Sequence, residues 1–152
     1  MKEAGAGVGP RNRAQVAPAD KADFLRAIGS YPSERPEAVE ARETHMSWVF
    51  LTDDFAYKLK KPVRHARVDL RTVEARRRNC LTEMRLNRRL AAEIYLGVVD
   101  ITGSSAVPRI NGQGSAIEYA VKMRQFPPDA TLDRLSERGE LGSAHIDLLA
   151  AR

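Results

Sequence analysis

Two strand-like segments joined by a short polar turn constrain the fold of this chain more than any other feature. Residues 39–51, which end in MSWVFL, are rich in residues that favour strands, and the segment FAYKLKK follows at 55–61. The intervening Thr52–Asp54 has the polar composition typical of a hairpin turn. We therefore predict a strand over 39–51, a turn at 52–54 and an antiparallel return strand.

The rest of the chain predicts an α+β fold: a small antiparallel sheet with one long helix packed against it. Residues 63–71 are predicted to be irregular. Capping residues predict two helices, a short one that begins at Asp20 and ends at Gly29 and a long one over 73–95 that begins at Thr72. A strand over 95–102 follows, and then a second hairpin over 108–126 that turns at 111–114. Two short helical segments separated by residues 139–142 end the chain.

Length and composition indicate one domain, or one lobe of a larger one, in a chain of 152 residues. Residues 1–19 are predicted to be a disordered tail, 20–126 the lobe, and 127–152 a hinge or linker with the start of a truncated second lobe. No apolar run reaches the roughly 18 residues of a membrane span, and the N-terminus lacks the apolar segment of a secretory signal. With a single cysteine, Cys80, the chain is expected to be cytoplasmic. The net charge of +5 admits an anionic partner such as a nucleotide, a nucleic acid or an acidic surface.

The lysines of the segment 55–61 raise the question of a binding site. Side chains alternate along a strand, so Ala56, Lys58 and Lys60 share one face. A small residue two positions before a lysine suits a nucleotide, because the alanine leaves room for a flat base and the lysine reaches the phosphates. The alternative is a solvated strand face. With Lys58 as the lysine of the site, Lys60 is a second cation on the same face and Lys61 is expected to be a solvated neighbour at the end of the strand.

The long predicted helix carries an acidic residue within its apolar stripe. Glu83 falls in the arc formed by Cys80, Met84, Ala91 and Ile94, with Leu86 and Leu90 at its edge. A buried carboxylate requires a cation, and Lys58 is the candidate. The alternative is that Glu83 lies at the edge of the stripe and pairs with Asn87 or Arg76 on the helix surface.

Five arginines of the same helix lie outside the stripe: Arg77, Arg78, Arg85, Arg88 and Arg89. They form either a solvated helix face or a surface that contacts nucleic acid.

Residues 43–63, 82–102 and 118–141 resemble the aminoglycoside-phosphotransferase-like kinase family. The likeness runs from about Ala22 to the C-terminus and is greatest to a bacterial branch that is often fused to a separate P-loop ATP-binding domain. It implies the protein-kinase-like N-terminal lobe, in which a strand lysine binds the ATP phosphates and a helix glutamate pairs with that lysine.

The resemblance implies a role for each matched position. Lys58 corresponds to the phosphate-binding lysine and Glu83 to its helix partner. Met123–Phe126 corresponds to the last strand and the hinge, whose backbone would bind adenine. The implied ATP-binding residues are Lys58, Glu83, Ala56, Met123, Arg124, Phe126 and, as a weaker candidate, Ser47.

The resemblance also implies that the chain is incomplete as an enzyme. The catalytic loop and the metal-binding aspartate of the family belong to the C-terminal lobe, and His145–Asp147 does not match that loop. We therefore predict no catalytic or metal-binding residue, and Mg²⁺ only if a C-terminal lobe is supplied. The expected partners are ATP, a C-terminal lobe or P-loop ATPase domain on another chain, or a second copy of the chain. The alternative is a non-enzymatic basic module that binds a protein or, less favoured, nucleic acid through its arginines.

Overall fold

The computed structural model describes Asp23, residues 25–104 and residues 106–151. The tail predicted over residues 1–19 lies outside this part of the chain. The described elements are β1 (Glu40–Glu43), β2 (Ser47–Leu51), β3 (Phe55–Lys60), β4 (Arg64–His65), β5 (Val68–Asp69), α1 (Val73–Asn87), β6 (Tyr95–Gly103), β7 (Pro108–Ile110), β8 (Glu118–Arg124), α2 (Leu132–Glu137) and α3 (Ser143–Ala150), with 3-10 turns at Ile28–Ser30 and Pro128–Ala130.

A six-stranded antiparallel sheet in the order β1-β2-β3-β8-β6-β7 organises the molecule, and β4 and β5 form a separate small hairpin. The predicted hairpin around Thr52–Asp54 is confirmed, since β2 and β3 pair antiparallel. Strands β3 and β8 lie side by side near the middle of the sheet, with Lys58 opposite Val121 and Ala56 opposite Met123. The predicted α+β class, an antiparallel sheet with one long packed helix, is confirmed.

The sheet is covered on both faces. One face carries the larger core cluster, to which every sheet strand except β1 contributes buried residues, while Ala41 of β1 packs against it and Leu25 and Tyr31 complete it. Tyr31 is fixed there by a hydrogen bond from its hydroxyl to the Leu25 carbonyl at 2.7 Å. Helix α1 packs on the opposite face, where Cys80 and Met84 meet Val121 of β8. The sheet therefore separates a largely apolar core from the face that carries α1.

Helix α1 begins as predicted and ends early. The Thr72 hydroxyl accepts a hydrogen bond from the Ala75 amide at 3.2 Å, which caps the first turn. The predicted end at residue 95 is wrong, because the helix stops at Asn87. Residues 88–94 continue mainly as turns, in which several backbone hydrogen bonds, such as that from the Arg89 amide to the Leu86 carbonyl, span three residues instead of four. Tyr95 then pairs with Met123 as β6 begins. The apolar residues after Asn87, whose spacing suggested a longer helix, instead lie in the segment that leads into β6.

The second predicted hairpin is also wrong. Asn111 and Gly114 have the positive φ angles expected of turn residues, so the chain does turn there. However, β7 pairs with β6, whereas β8 lies between β6 and β3. Turn residues mark where a chain reverses, but pairing with distant strands decides which neighbour each strand takes.

Three smaller predictions require correction. Residues 39–51 form two strands rather than one, because the chain reverses between Glu43 and Ser47. Residues 63–71 contain the β4–β5 hairpin and are not wholly irregular. Asp20 lies outside the described residues, and from Leu25 onward the expected short helix is replaced by a turn and the 3-10 segment Ile28–Ser30.

The two short helical segments predicted near the C-terminus are confirmed as α2 and α3. His145 and Asp147 lie within α3, whose apolar residues Ile146, Leu148 and Leu149 are exposed. None of the described helices is both long and apolar enough to cross a membrane.

Candidate functional site

Strand β3 presents two lysines to helix α1. Tyr57 and Leu59 of this strand belong to the core on the far face of the sheet. Because side chains alternate along a strand, Lys58 and Lys60 lie on the opposite face, where α1 packs. The predicted division of the strand into two faces is confirmed.

Glu83 of α1 binds both lysines, each through a different carboxylate oxygen. Lys58 Nζ donates to Glu83 Oε1 at 2.9 Å, and Lys60 Nζ donates to Glu83 Oε2. The side chain of Lys60 is 7% exposed, that of Glu83 13% and that of Lys58 30%. The solvated-face alternative therefore does not describe these lysines, and Glu83 pairs with the strand rather than along its own helix.

The charge of this cluster favours an anion. Burial raises the pKa of Glu83, but hydrogen bonds from Lys60 and Lys58 outweigh burial and hold the pKa below its usual value of 4.5. Glu83 is therefore ionised at neutral pH. Two lysine cations and one carboxylate leave a net charge of +1 in a partly dehydrated position. Such a surplus attracts a negatively charged ligand.

Ser47 joins the same cluster from the neighbouring strand. It lies opposite Lys60 in the β2–β3 register, and paired residues project from the same face of a sheet. Its side chain is fully buried, and its hydroxyl oxygen has no hydrogen-bond partner among the described residues. An unsatisfied buried hydroxyl costs free energy unless a partner arrives. Ser47 therefore adds a hydrogen-bond donor to a position that already carries two cations.

The small residue two positions before Lys58 lies on the strand face that the sequence predicted. Ala56 lies on the same face as Lys58 and is opposite Met123 of β8. Met123 is partly buried and packs against the cluster of Cys80, Met84 and Val121 beneath α1. The structure thus brings Ala56, Met123 and Lys58 to one side of the sheet.

Two backbone amides after Met123 already donate hydrogen bonds within the chain. The Arg124 amide donates to the Ile94 carbonyl and the Gln125 amide to the Asp54 carbonyl, both at 2.8 Å. Neither amide is free to donate to a base in this arrangement. Arg124 and Phe126 have exposed side chains, and Phe126 is 49% exposed. An adenine at the predicted hinge would therefore need other backbone groups, or the buried Gln125 Oε1, which has no partner among the described residues.

Arg76 has a separate partner that the sequence did not reveal. Its guanidinium forms a bidentate pair with Glu118 of β8, with nitrogen–oxygen distances from 2.7 to 3.0 Å. It also donates to the Leu70 and Arg71 carbonyls. Both side chains of the pair are almost fully buried. The sequence offered Arg76 only as an alternative surface partner of Glu83, and nothing in sequence spacing connects residues 76 and 118.

Lys61 is less exposed than predicted. It pairs with Glu43, and its ammonium lies 5.3 Å from the centre of the Trp48 ring. Lys61 therefore belongs to the outer strands and not to the Glu83 cluster. The rings of His45 and His65 lie 4.8 Å apart, and the described residues contain no group of three or more candidate metal ligands.

Comparison with known proteins identifies relatives without assigning a function. The chain is 34% identical over 121 residues to an uncharacterized protein of Mycobacterium bovis and to uncharacterized proteins of two strains of Mycobacterium tuberculosis. The match covers 80% of this chain but only 23% of each relative, so the chain spans about a quarter of their length. The chain matches no family model and no solved structure.

Proposed function

We propose that this chain is the ATP-binding N-terminal lobe of a small-molecule kinase of the aminoglycoside-phosphotransferase-like type. The observation that carries the proposal is the contact between Lys58 of β3 and Glu83 of α1. A strand lysine held by a glutamate of the following helix, beside an antiparallel sheet, is the arrangement with which kinase-like lobes hold nucleotide phosphates. The resemblance of the surrounding segments to that family supports the same function.

The site has groups that fit a nucleoside triphosphate. Lys58 would donate to phosphate oxygens, and Glu83 would orient Lys58. The Ser47 hydroxyl is buried without a partner among the described residues, so it would donate to the same anion only after the site opens locally. The small side chain of Ala56, opposite Met123, would let a flat base approach this part of the sheet. ATP would supply the phosphoryl group for transfer to a hydroxyl.

The remaining kinase machinery lies outside the described residues under this proposal. Phosphoryl transfer needs a group that orients the acceptor hydroxyl and ligands for Mg²⁺. We propose that a C-terminal lobe supplies both, and that residues 127–151 lead toward it. The greater length of the mycobacterial relatives leaves room for such a lobe. On its own, the N-terminal lobe would bind ATP weakly and would not transfer phosphate.

Calorimetric titration with Mg·ATP tests this function directly. We expect saturable binding that Lys58→Ala and Glu83→Ala both weaken by about tenfold or more, which corresponds to about 1.4 kcal/mol of binding free energy. Lys61→Ala is the matched control, because Lys61 pairs with Glu43 and not with Glu83. Absence of binding at millimolar ATP by a folded chain, or equal losses in all three variants, would contradict the proposal.

A second candidate function rests on exposed arginines of α1 and of the turn that follows it. Arg78, Arg85, Arg88 and Arg89 are exposed and form no ion pair with the described residues. Unpaired arginines on one surface suit an anionic protein or nucleic acid. Binding of a labelled acidic peptide or oligonucleotide that weakens between roughly 50 and 200 mM salt would favour this function. Joint replacement of Arg85, Arg88 and Arg89 by glutamine should then abolish binding, whereas Lys58→Ala should leave it unchanged.

A further inference from the structure

The Glu83 carboxylate is divided between two lysines that differ in their access to solvent. Lys60 is 7% exposed and donates to Oε2, whereas Lys58 is 30% exposed and donates to Oε1. In the kinase-like arrangement, one strand lysine pairs with one helix glutamate. The second lysine therefore requires an explanation of its own.

Burial limits what each lysine can do when a ligand arrives. Lys60 has little contact with water, so leaving Glu83 would strand its ammonium unless another anion replaced the carboxylate. Lys58 has a larger exposed fraction and can turn toward an anion at the surface. If Lys58 turns away, Glu83 still has Lys60 at its other oxygen and does not become an uncompensated buried carboxylate.

We infer that Lys60 is the permanent partner of Glu83 and that Lys58 is the exchangeable one. Lys60 is thus a positioning residue: by neutralising Glu83 it lowers the free energy needed to release Lys58 to an anionic ligand. The identity of that ligand as the phosphates of ATP rests on the proposed function. The assignment of Lys60 as the permanent partner and Lys58 as the exchangeable partner of Glu83 does not depend on that function.

The neighbours of Lys60 agree with this assignment. The other charged side chains of the cluster are Lys58 and Glu83, and the residue paired with Lys60 on the neighbouring strand is the uncharged Ser47. Lys61, the next residue, uses Glu43 instead. Among the described residues, Glu83 is thus the carboxylate that compensates the buried Lys60 ammonium.

A stability measurement without ligand tests the charge division. Lys58→Met and Lys60→Met are matched changes, since methionine keeps most of the buried aliphatic chain and removes the charge. Each is made in the natural chain and in Glu83→Gln, and thermal unfolding midpoints are compared. We expect Lys60→Met to lower the midpoint more than Lys58→Met in the natural chain. In the Glu83→Gln chain, Lys60→Met should raise the midpoint, because there it removes an uncompensated buried cation.

The opposite ranking would overturn the inference. If Lys58→Met lowers the midpoint as much as Lys60→Met, or if Lys60→Met is equally destabilising in both backgrounds, Lys60 is not the principal ionic partner of Glu83. Comparison of the two backgrounds separates loss of the ion pair from loss of packing, since the packing change is the same in both.

Titration with Mg·ATP tests the release of Lys58. Lys60→Met should weaken binding about tenfold, which is about 1.4 kcal/mol, because Glu83 then retains Lys58. Adding Glu83→Gln should restore affinity, because the glutamine carbonyl, unlike the alanine of Glu83→Ala, still accepts a hydrogen bond that orients Lys58 but no longer holds it as an ion pair. If the double variant stays as weak as Lys60→Met, Lys60 acts by contacting the phosphates directly, and its assignment as a positioning residue is overturned. If the natural chain does not bind Mg·ATP, the proposed function fails, and the ligand-free midpoints still decide which lysine is the partner of Glu83.

Discussion

Glu83 carries a charge whose effect depends on its two lysine partners. Burial raises its pKa, hydrogen bonds from Lys60 and Lys58 lower it further than burial raises it, and the result lies below 4.5. A carboxyl group whose pKa is lower in the folded than in the unfolded chain stabilises the fold above its unfolded pKa. That contribution is lost as the pH falls through the folded pKa. The direction of the shift thus links one side chain to the acid stability of the protein.

We predict that Glu83→Gln changes how stability depends on pH. At neutral pH the variant should be less stable than the natural chain, because two lysines lose their anionic partner. The difference should begin to narrow as the pH falls below about 4.5, the ordinary pKa of the carboxyl in the unfolded chain, and should be lost as the pH falls through the lower pKa of the folded Glu83. Urea unfolding at a series of pH values measures this. A difference that stays constant from neutral pH to pH 3 would show that Glu83 does not titrate as described.

At the scale of elements, helix α1 is held against the sheet by two ionic contacts. Near its start, Arg76 pairs with Glu118 of β8, and seven residues later Glu83 pairs with the lysines of β3. Arg76 also holds the chain that enters the helix through the Leu70 and Arg71 carbonyls. Because these contacts join α1 to adjacent central strands, they define the position of Glu83 relative to Lys58.

Breaking the Arg76–Glu118 pair should be strongly destabilising. Arg76→Met removes the principal cation that contacts the buried Glu118 of β8. We therefore expect a loss of about 3–5 kcal/mol in the free energy of unfolding. The double change Arg76→Met with Glu118→Leu should lose less than the single one, because both charges leave the interior together. Denaturant unfolding measures the two losses. A single variant that loses less than about 1 kcal/mol would mean that water reaches Glu118.

At the scale of the whole molecule, contacts between distant parts of the chain assemble the sheet and its two covers. Glu34 lies in the N-terminal segment and pairs with Lys122 of β8 at 2.5 Å across a separation of 88 residues. The same carboxylate accepts a hydrogen bond from the Tyr57 hydroxyl of β3. Lys122 also lies 3.7 Å from the centre of the Phe55 ring. The N-terminal segment is thereby fixed to the two central strands on the face opposite α1.

The amino-acid sequence by itself determined the features that depend on neighbouring residues. The alternation of Tyr57 and Leu59 with Lys58 and Lys60 defined the two faces of β3, and Thr72 marked the start of α1. The polar residues at 52–54 marked the turn between β2 and β3. The position of Glu83 in an apolar stripe predicted its contact with Lys58. These predictions succeeded because the period of a strand or helix is a local property of the backbone.

Only the tertiary structure decided which distant elements meet. The apolar spacing after Asn87 fitted a longer helix, but pairing of Tyr95 with Met123 turned that segment toward the sheet. The insertion of β8 between β3 and β6, and the pairing of Arg76 with Glu118, have no counterpart in local spacing. The burial of Lys60 follows from the same assembly. Such contacts arise when the whole chain buries its apolar surface and then compensates the charges that this burial removes from water.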